Sequence, residues 1–161
     1  MEKQAVDEAK YDRQLRLWGL QGQQRLQNAC ILLVNADATG SETLKNLVLP
    51  GAGNIAILDD KLVTDDDLGQ LICSIFNLTT RSLTQLISHY YHIHVGNNFF
   101  VTDDDLGKPR GQAVCNWLLE MNPEVKGSHF YDNVKSVLLN DSLFFNKFSF
   151  IILSNVDAGT S

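Results

Sequence analysis

Apolar and polar positions along this chain follow two periods, and the change from one to the other marks its central unit. Ile31-Leu32-Leu33-Val34 is an unbroken apolar run, which suits a strand buried on both faces. After a short polar elbow, Leu44, Leu47 and Val48 recur at i, i+3 and i+4 and predict a helix with one apolar stripe. Thr39 and Glu42 have capping-box spacing, which puts the helix start near Thr39, and Pro50-Gly51 ends it. Asn54–Leu58 is a second apolar run, closed by Asp59-Asp60. Strand, helix and strand in this order build a parallel sheet.

The flanking segments extend the same architecture. Tyr11–Gly19 and the helix-friendly Gln21–Gln27 precede the first strand, with Leu15 and Trp18 placed to dock on the sheet. Met1–Lys10 reads as a frayed or weak helix. Lys108-Pro109-Arg110 opens a later helix, with Pro109 in its first turn and Ala113, Val114, Trp117 and Leu118 on one face. Gly127–Tyr131 reads as a strand, Val134–Leu139 as a short helix and Phe148–Leu153 as a fourth apolar strand. The fold class is therefore α/β, a Rossmann-like parallel sheet with flanking helices. Four such strands leave a raw sheet edge.

The elbow holds the candidate chemistry. A dinucleotide-binding turn reads G-x-G-x-x-G, and its middle glycine lets backbone amides approach phosphates. Here those three positions hold Asn35, Asp37 and Gly40. Asp37 brings a side chain and a negative charge to the phosphate position, a repulsion of about 1–4 kcal/mol at ~4 Å. Asp59 stands where a ribose-binding acid belongs, although an acid at a strand end is ordinarily a turn residue. The unit has the outline of a nucleotide site without its phosphate cradle.

Composition narrows the classes further. The 161 residues make about one domain, with a net charge of −6 and no cluster of lysine or arginine, which argues against nucleic-acid binding. Cys30, Cys73 and Cys115 are too far apart for a zinc set or a disulfide framework and suit a reducing compartment. No apolar run approaches the ~20 residues of a membrane span, and Met1–Lys10 has no signal-peptide pattern. Cys115 reads as a structural thiol. Val63–Gly69 reads as a solvated acidic loop, and Arg13 and Arg16 as surface partners of Asp7 or Asp12.

Taken together, Tyr11–Gly19, the elbow, Lys45–Gly51 and Asn97-Asn98-Phe99-Phe100 resemble the ThiF-like adenylation fold of ubiquitin-like-modifier activating enzymes. The Asn-Asn-Phe-Phe string and the later Phe144-Phe145 favour the regulatory, nucleotide-free side of the neddylation branch over its sumoylation counterpart. The resemblance covers nearly all of the chain outside Gln70–Gly96. That stretch has three of the four histidines and, as its one charged residue, Arg81. Joining Gly69 to Asn97 restores the family pattern, so 70–96 reads as an insertion. His89, His92 and His94 within it have spacing that suits no common metal set.

The resemblance implies a division of labour. One subunit binds ATP and magnesium and carries the thioester cysteine, while the other, with a degenerate turn, lends an arginine across the dimer interface. The matching residue here is Arg13. The chain then carries no catalysis or cofactor of its own. Its partners are a catalytic subunit and a ubiquitin-like modifier, in the cytoplasm or nucleus, with no nucleic acid and no membrane. Subunits of this type are far longer, so residues 1–161 are expected to be the N-terminal part of such a domain. Three other readings stand beside it: the regulatory half of the sumoylation-activating enzyme, a truncated product without function, and a dinucleotide oxidoreductase, which Asn35 and Asp37 oppose.

Overall fold

The computed structural model describes residues 6–68 and 98–156. The expected insertion at 70–96 and its three histidines lie outside the described residues. Four parallel strands, β1 (Cys30–Val34), β2 (Asn54–Leu58), β3 (Lys126–Phe130) and β4 (Phe150–Leu153), form one sheet in the order β3-β2-β1-β4. β1 is central, in register with Asn54–Leu58 on one side and Phe150–Leu153 on the other. All four anticipated strands are present, with ends shifted by one or two residues.

The helices are α1 (Asp12–Gln27), α2 (Ala38–Val48), the single turn α3 (Asp65–Leu68), α4 (Arg110–Met121) and α5 (Val134–Asn140). Alternation along β1 divides the core. Ile31 and Leu33 pack with Leu44 and Val48 of α2 and with Val114 and Leu118 of α4 on one face. Leu32 and Val34 pack with Phe144 and, from α5, Val134 and Val137 on the other. Pro109 stands at the N-cap of α4 rather than inside its first turn.

The N-terminal segment is anchored differently from expectation. Leu15 is half-buried and Trp18 is exposed, so neither docks deeply on the sheet. Tyr11 is buried instead, its hydroxyl 3.0 Å from Glu124 Oε2, and Gly51 (φ 97°) leaves room for its ring. Gln23 is fully buried, donates to the Pro50 carbonyl at 2.7 Å and accepts from the Trp18 indole at 3.0 Å. The indole turns back because Gly19, with φ 69° and ψ 175°, kinks α1 there. Polar groups with no water to face need such partners, and this set supplies them.

Candidate functional site

The carboxyl ends of β1 and β4 flank the point where strand order reverses, the usual ligand crevice of an open α/β sheet. A cleft of about 470 Å³ opens there, lined by Asp37, Thr39, Asp66, Asp67, Arg110 and Ser154 among others. The elbow keeps the shape of a nucleotide turn. Asn35 takes φ 65°, a left-handed conformation that asparagine tolerates better than most residues, so it turns the chain as the first glycine would. Gly40 preserves the role of the third glycine, because a Cβ there would lie 2.7 Å from the Asn35 carbonyl oxygen.

The middle position is what changes. Asp37 is the N-cap of α2, and its Oδ1 accepts from the Gly40 N–H at 2.7 Å. The helix begins at Ala38, within one residue of the expected start near Thr39, but under an Asp37 cap and not a capping box; Glu42 pairs with Lys45 instead. An aspartate at the N-cap outcompetes a threonine two residues on because it meets the first turn's open amides with a full charge. The Ser154 hydroxyl donates to the same Oδ1 at 2.7 Å. Asn35 Nδ2 donates to the Ser154 and Asn155 carbonyls at 2.9 and 3.2 Å. The crevice is thus stitched across, from elbow to β4.

Asp59 is equally committed. It is 2 % exposed, and its Oδ2 accepts from the Ala36 N–H at 2.8 Å and from Arg110 Nε at 2.8 Å. Its Oδ1 accepts from the Lys61 N–H at 3.0 Å. A ribose hydroxyl would have to displace a buried ion pair to reach it. Arg110 also donates through Nη1 to Asp67 Oδ1 at 3.1 Å. Asp67 in turn accepts from the Thr64 N–H and hydroxyl, each at 3.0 Å. The acidic loop is accordingly not wholly solvated: Asp65 and Asp66 are exposed, whereas Asp67 is buried against the guanidinium. Asn98 completes the set by donating Nδ2 to the Ala36 carbonyl at 2.8 Å.

Arg110 was legible in the sequence only as a helix opener. Burial works against its charge, and Asp59 and then Asp67 outweigh that, so its pKa stands above the ordinary arginine value. Four carboxylates (Asp37, Asp59, Asp66 and Asp67) line or underlie the cleft beside this one guanidinium. A polyphosphate brought here would meet net negative charge.

Arg13 lies elsewhere. It sits in the first turn of α1, exposed, two residues from Tyr11, whose ring packs against Gly51 at the amino ends of the strands. Among the described residues it forms no ion pair, while its neighbour Arg16 pairs with Asp12 at 2.9 Å. The chain's own cleft is at the other end of the sheet. Cys115 is buried, with Sγ 3.7 Å from the Ser128 carbonyl oxygen, and burial pushes its thiol pKa up. No group of three metal-ligating side chains occurs among the described residues, and no described helix is long and apolar enough to cross a membrane.

Residues 11–75 match the ThiF family. The chain is 39% identical over 153 residues to the NEDD8-activating enzyme E1 regulatory subunit of Danio rerio, covering 95% of this chain and 24% of that protein. It is 36% identical over 152 residues to the regulatory subunit AXL of Arabidopsis thaliana, covering 94% and 24%. The chain thus spans about a quarter of the length of these curated relatives. Among solved structures, TcdA (CsdL) superposes with a TM-score of 0.67 at 17% identity, over 96% of this chain and 50% of that one. E. coli MccB superposes at 0.63 and 17%, over 97% and 37%. These two likenesses carry the fold.

Proposed function

We propose, for a chain whose residues 11–75 carry a ThiF family domain, that it serves as the nucleotide-free half of a heterodimeric activating enzyme for a ubiquitin-like modifier of the NEDD8 type. The observation that carries this reading is the Asp37 carboxylate on the Gly40 N–H at 2.7 Å. An anion at a helix N-terminus satisfies the amides and dipole that would otherwise hold a phosphate. The protein's own acid has taken that place, so ATP and magnesium belong to a catalytic partner and this chain supports the reaction from outside.

Arg13 is the group assigned to that support. Adenylation joins a modifier's C-terminal carboxylate to the α-phosphate of ATP as pyrophosphate leaves, and negative charge grows around the phosphates. A guanidinium placed there stabilises that charge through paired, planar donors, which a lysine matches poorly. Its exposure on α1, away from the chain's own cleft, fits a group offered to another subunit.

The test grafts residues 1–161 onto the remainder of the Danio rerio relative and pairs the chimera with its catalytic subunit. ATP–pyrophosphate exchange should fall roughly ten- to a thousandfold in Arg13→Ala, by analogy with the loss of one charge-stabilising donor. The heterodimer should still assemble, and Arg16→Ala should change the rate less. Exchange at the unmodified rate in Arg13→Ala would remove the arginine from the mechanism and leave only the supporting role.

A further inference from the structure

The part of α1 that carries Arg13 is short and shallow. Gly19, with φ 69° and ψ 175°, breaks the helix, so residues 12–18 form a separate piece of roughly two turns. None of them is buried, and a helix of that length has little stability of its own in water. Contacts at its two ends therefore set its direction. At the far end the Trp18 indole donates to Gln23 Oε1 at 3.0 Å. At the near end stands Tyr11, 1% exposed, whose carbonyl accepts from the Leu15 N–H at 2.9 Å. Its hydroxyl donates to Glu124 Oε2 at 3.0 Å.

We propose that Glu124 is a positioning residue for Arg13, acting through the Tyr11 hydroxyl. The inference rests on the role given to Arg13 above and adds the group that aims it. Glu124 stands in the turn between α4 and β3, and that turn is itself tied down. Asn122, 2% exposed, donates Nδ2 to the Val48 carbonyl at the end of α2 at 2.9 Å and accepts from Lys10 Nζ at 2.9 Å. Lys10 also pairs with Glu124 Oε2 at 3.1 Å, and its ammonium stands 5.1 Å from the centre of the Tyr11 ring. One carboxylate thus holds two consecutive residues, Lys10 and Tyr11, directly before the turn that carries Arg13. Hydrogen bonds to an ionised acceptor are roughly twice as strong as neutral ones, which suits an anchor.

Gly51 keeps the space for this tie. A Cβ there would lie 2.8 Å from the Tyr11 hydroxyl oxygen and 3.1 Å from Gln23 Nε2, so one glycine leaves room for both anchors of the piece. A guanidinium stabilises a phosphate's charge only where it lies in register with it, and a misplacement of about 1 Å can cost a reaction about a hundredfold. Without the tie, Arg13 is present but poorly aimed.

ATP–pyrophosphate exchange by the chimeric heterodimer decides the matter. Tyr11→Phe, which keeps the buried ring, and Glu124→Ala should each lower the exchange kcat about three- to tenfold, less than the loss of the arginine itself. The KM for ATP should change little, and the heterodimer should still assemble. Glu124→Gln keeps an acceptor for the hydroxyl and should exchange faster than Glu124→Ala. The decisive readout is coupling: in an Arg13→Ala background, neither Tyr11→Phe nor Glu124→Ala should slow exchange further. A contact that only stabilises the fold would act equally with and without Arg13. Suppose Arg13→Ala alone is slow. An unmodified rate in Tyr11→Phe or Glu124→Ala, a loss repeated in the Arg13→Ala background, or Glu124→Gln no faster than Glu124→Ala then overturns the positioning role and leaves that of Arg13 standing. An unmodified rate in Arg13→Ala removes both.

Discussion

The hydroxyl of Ser154 donates to the Asp37 carboxylate at 2.7 Å, across a sequence separation of 117 residues. One oxygen of Asp37 thereby holds both the first turn of α2 and the end of β4. The contact lies in the wall of the cleft at which the strand order reverses and ties its two sides together.

Asp37→Ala should lower stability by about 0.5–2 kcal/mol, the usual worth of an N-cap side chain. Asp37→Ser should restore most of that, since serine caps well and can still meet Gly40. Urea midpoints for the two variants check this. Equal midpoints for Asp37→Ala and the unmodified chain would show that the cap contributes nothing.

Arg110→Met should be the more damaging change, about 3–5 kcal/mol, because it strands two buried carboxylates, Asp59 and Asp67. The exposed Arg16–Asp12 pair is the comparison, with a cost of about 0.5 kcal/mol or less in Arg16→Ala. Similar losses in the two variants, measured by urea unfolding, would mean that the buried network is not what fixes Asp59.

Burial raises the Cys115 thiol pKa, so the native chain keeps its proton where the unfolded chain loses one. Stability should therefore fall as pH rises through the ordinary thiol range, and native Cys115 should hold little thiolate at mildly alkaline pH. Thiol labelling at that pH should proceed with equal rate and stoichiometry in the unmodified chain and in Cys115→Ser. Loss of a fast-labelling group in the variant would contradict the burial.

Much of this was legible from local pattern. The runs Ile31–Val34 and Asn54–Leu58 and the stripe through Leu44, Leu47 and Val48 declare their elements because burial of one face sets the period. The degenerate turn was equally plain, since residue types at three fixed positions decide whether a phosphate can approach. What local pattern hid was long-range. Arg110 stands 51 and 43 residues from its two acids, and nothing in Lys108-Pro109-Arg110 reveals that pairing. Asp67 sat in an acidic run that reads as solvated until the guanidinium is placed against it. The burial of Tyr11 and Gln23 in place of Trp18 follows from the Gly19 kink, and a glycine inside a helical stretch does not announce its dihedral angles.

The central claim is that the chain's own acids occupy its nucleotide crevice. Its most direct test is isothermal titration of the isolated 161-residue chain with MgATP. The account predicts no saturable heat through the micromolar range, in the unmodified chain and in Arg13→Ala alike. Saturable micromolar binding to the unmodified chain would contradict it, because the Asp37 and Asp59 carboxylates would then have yielded to phosphate and ribose.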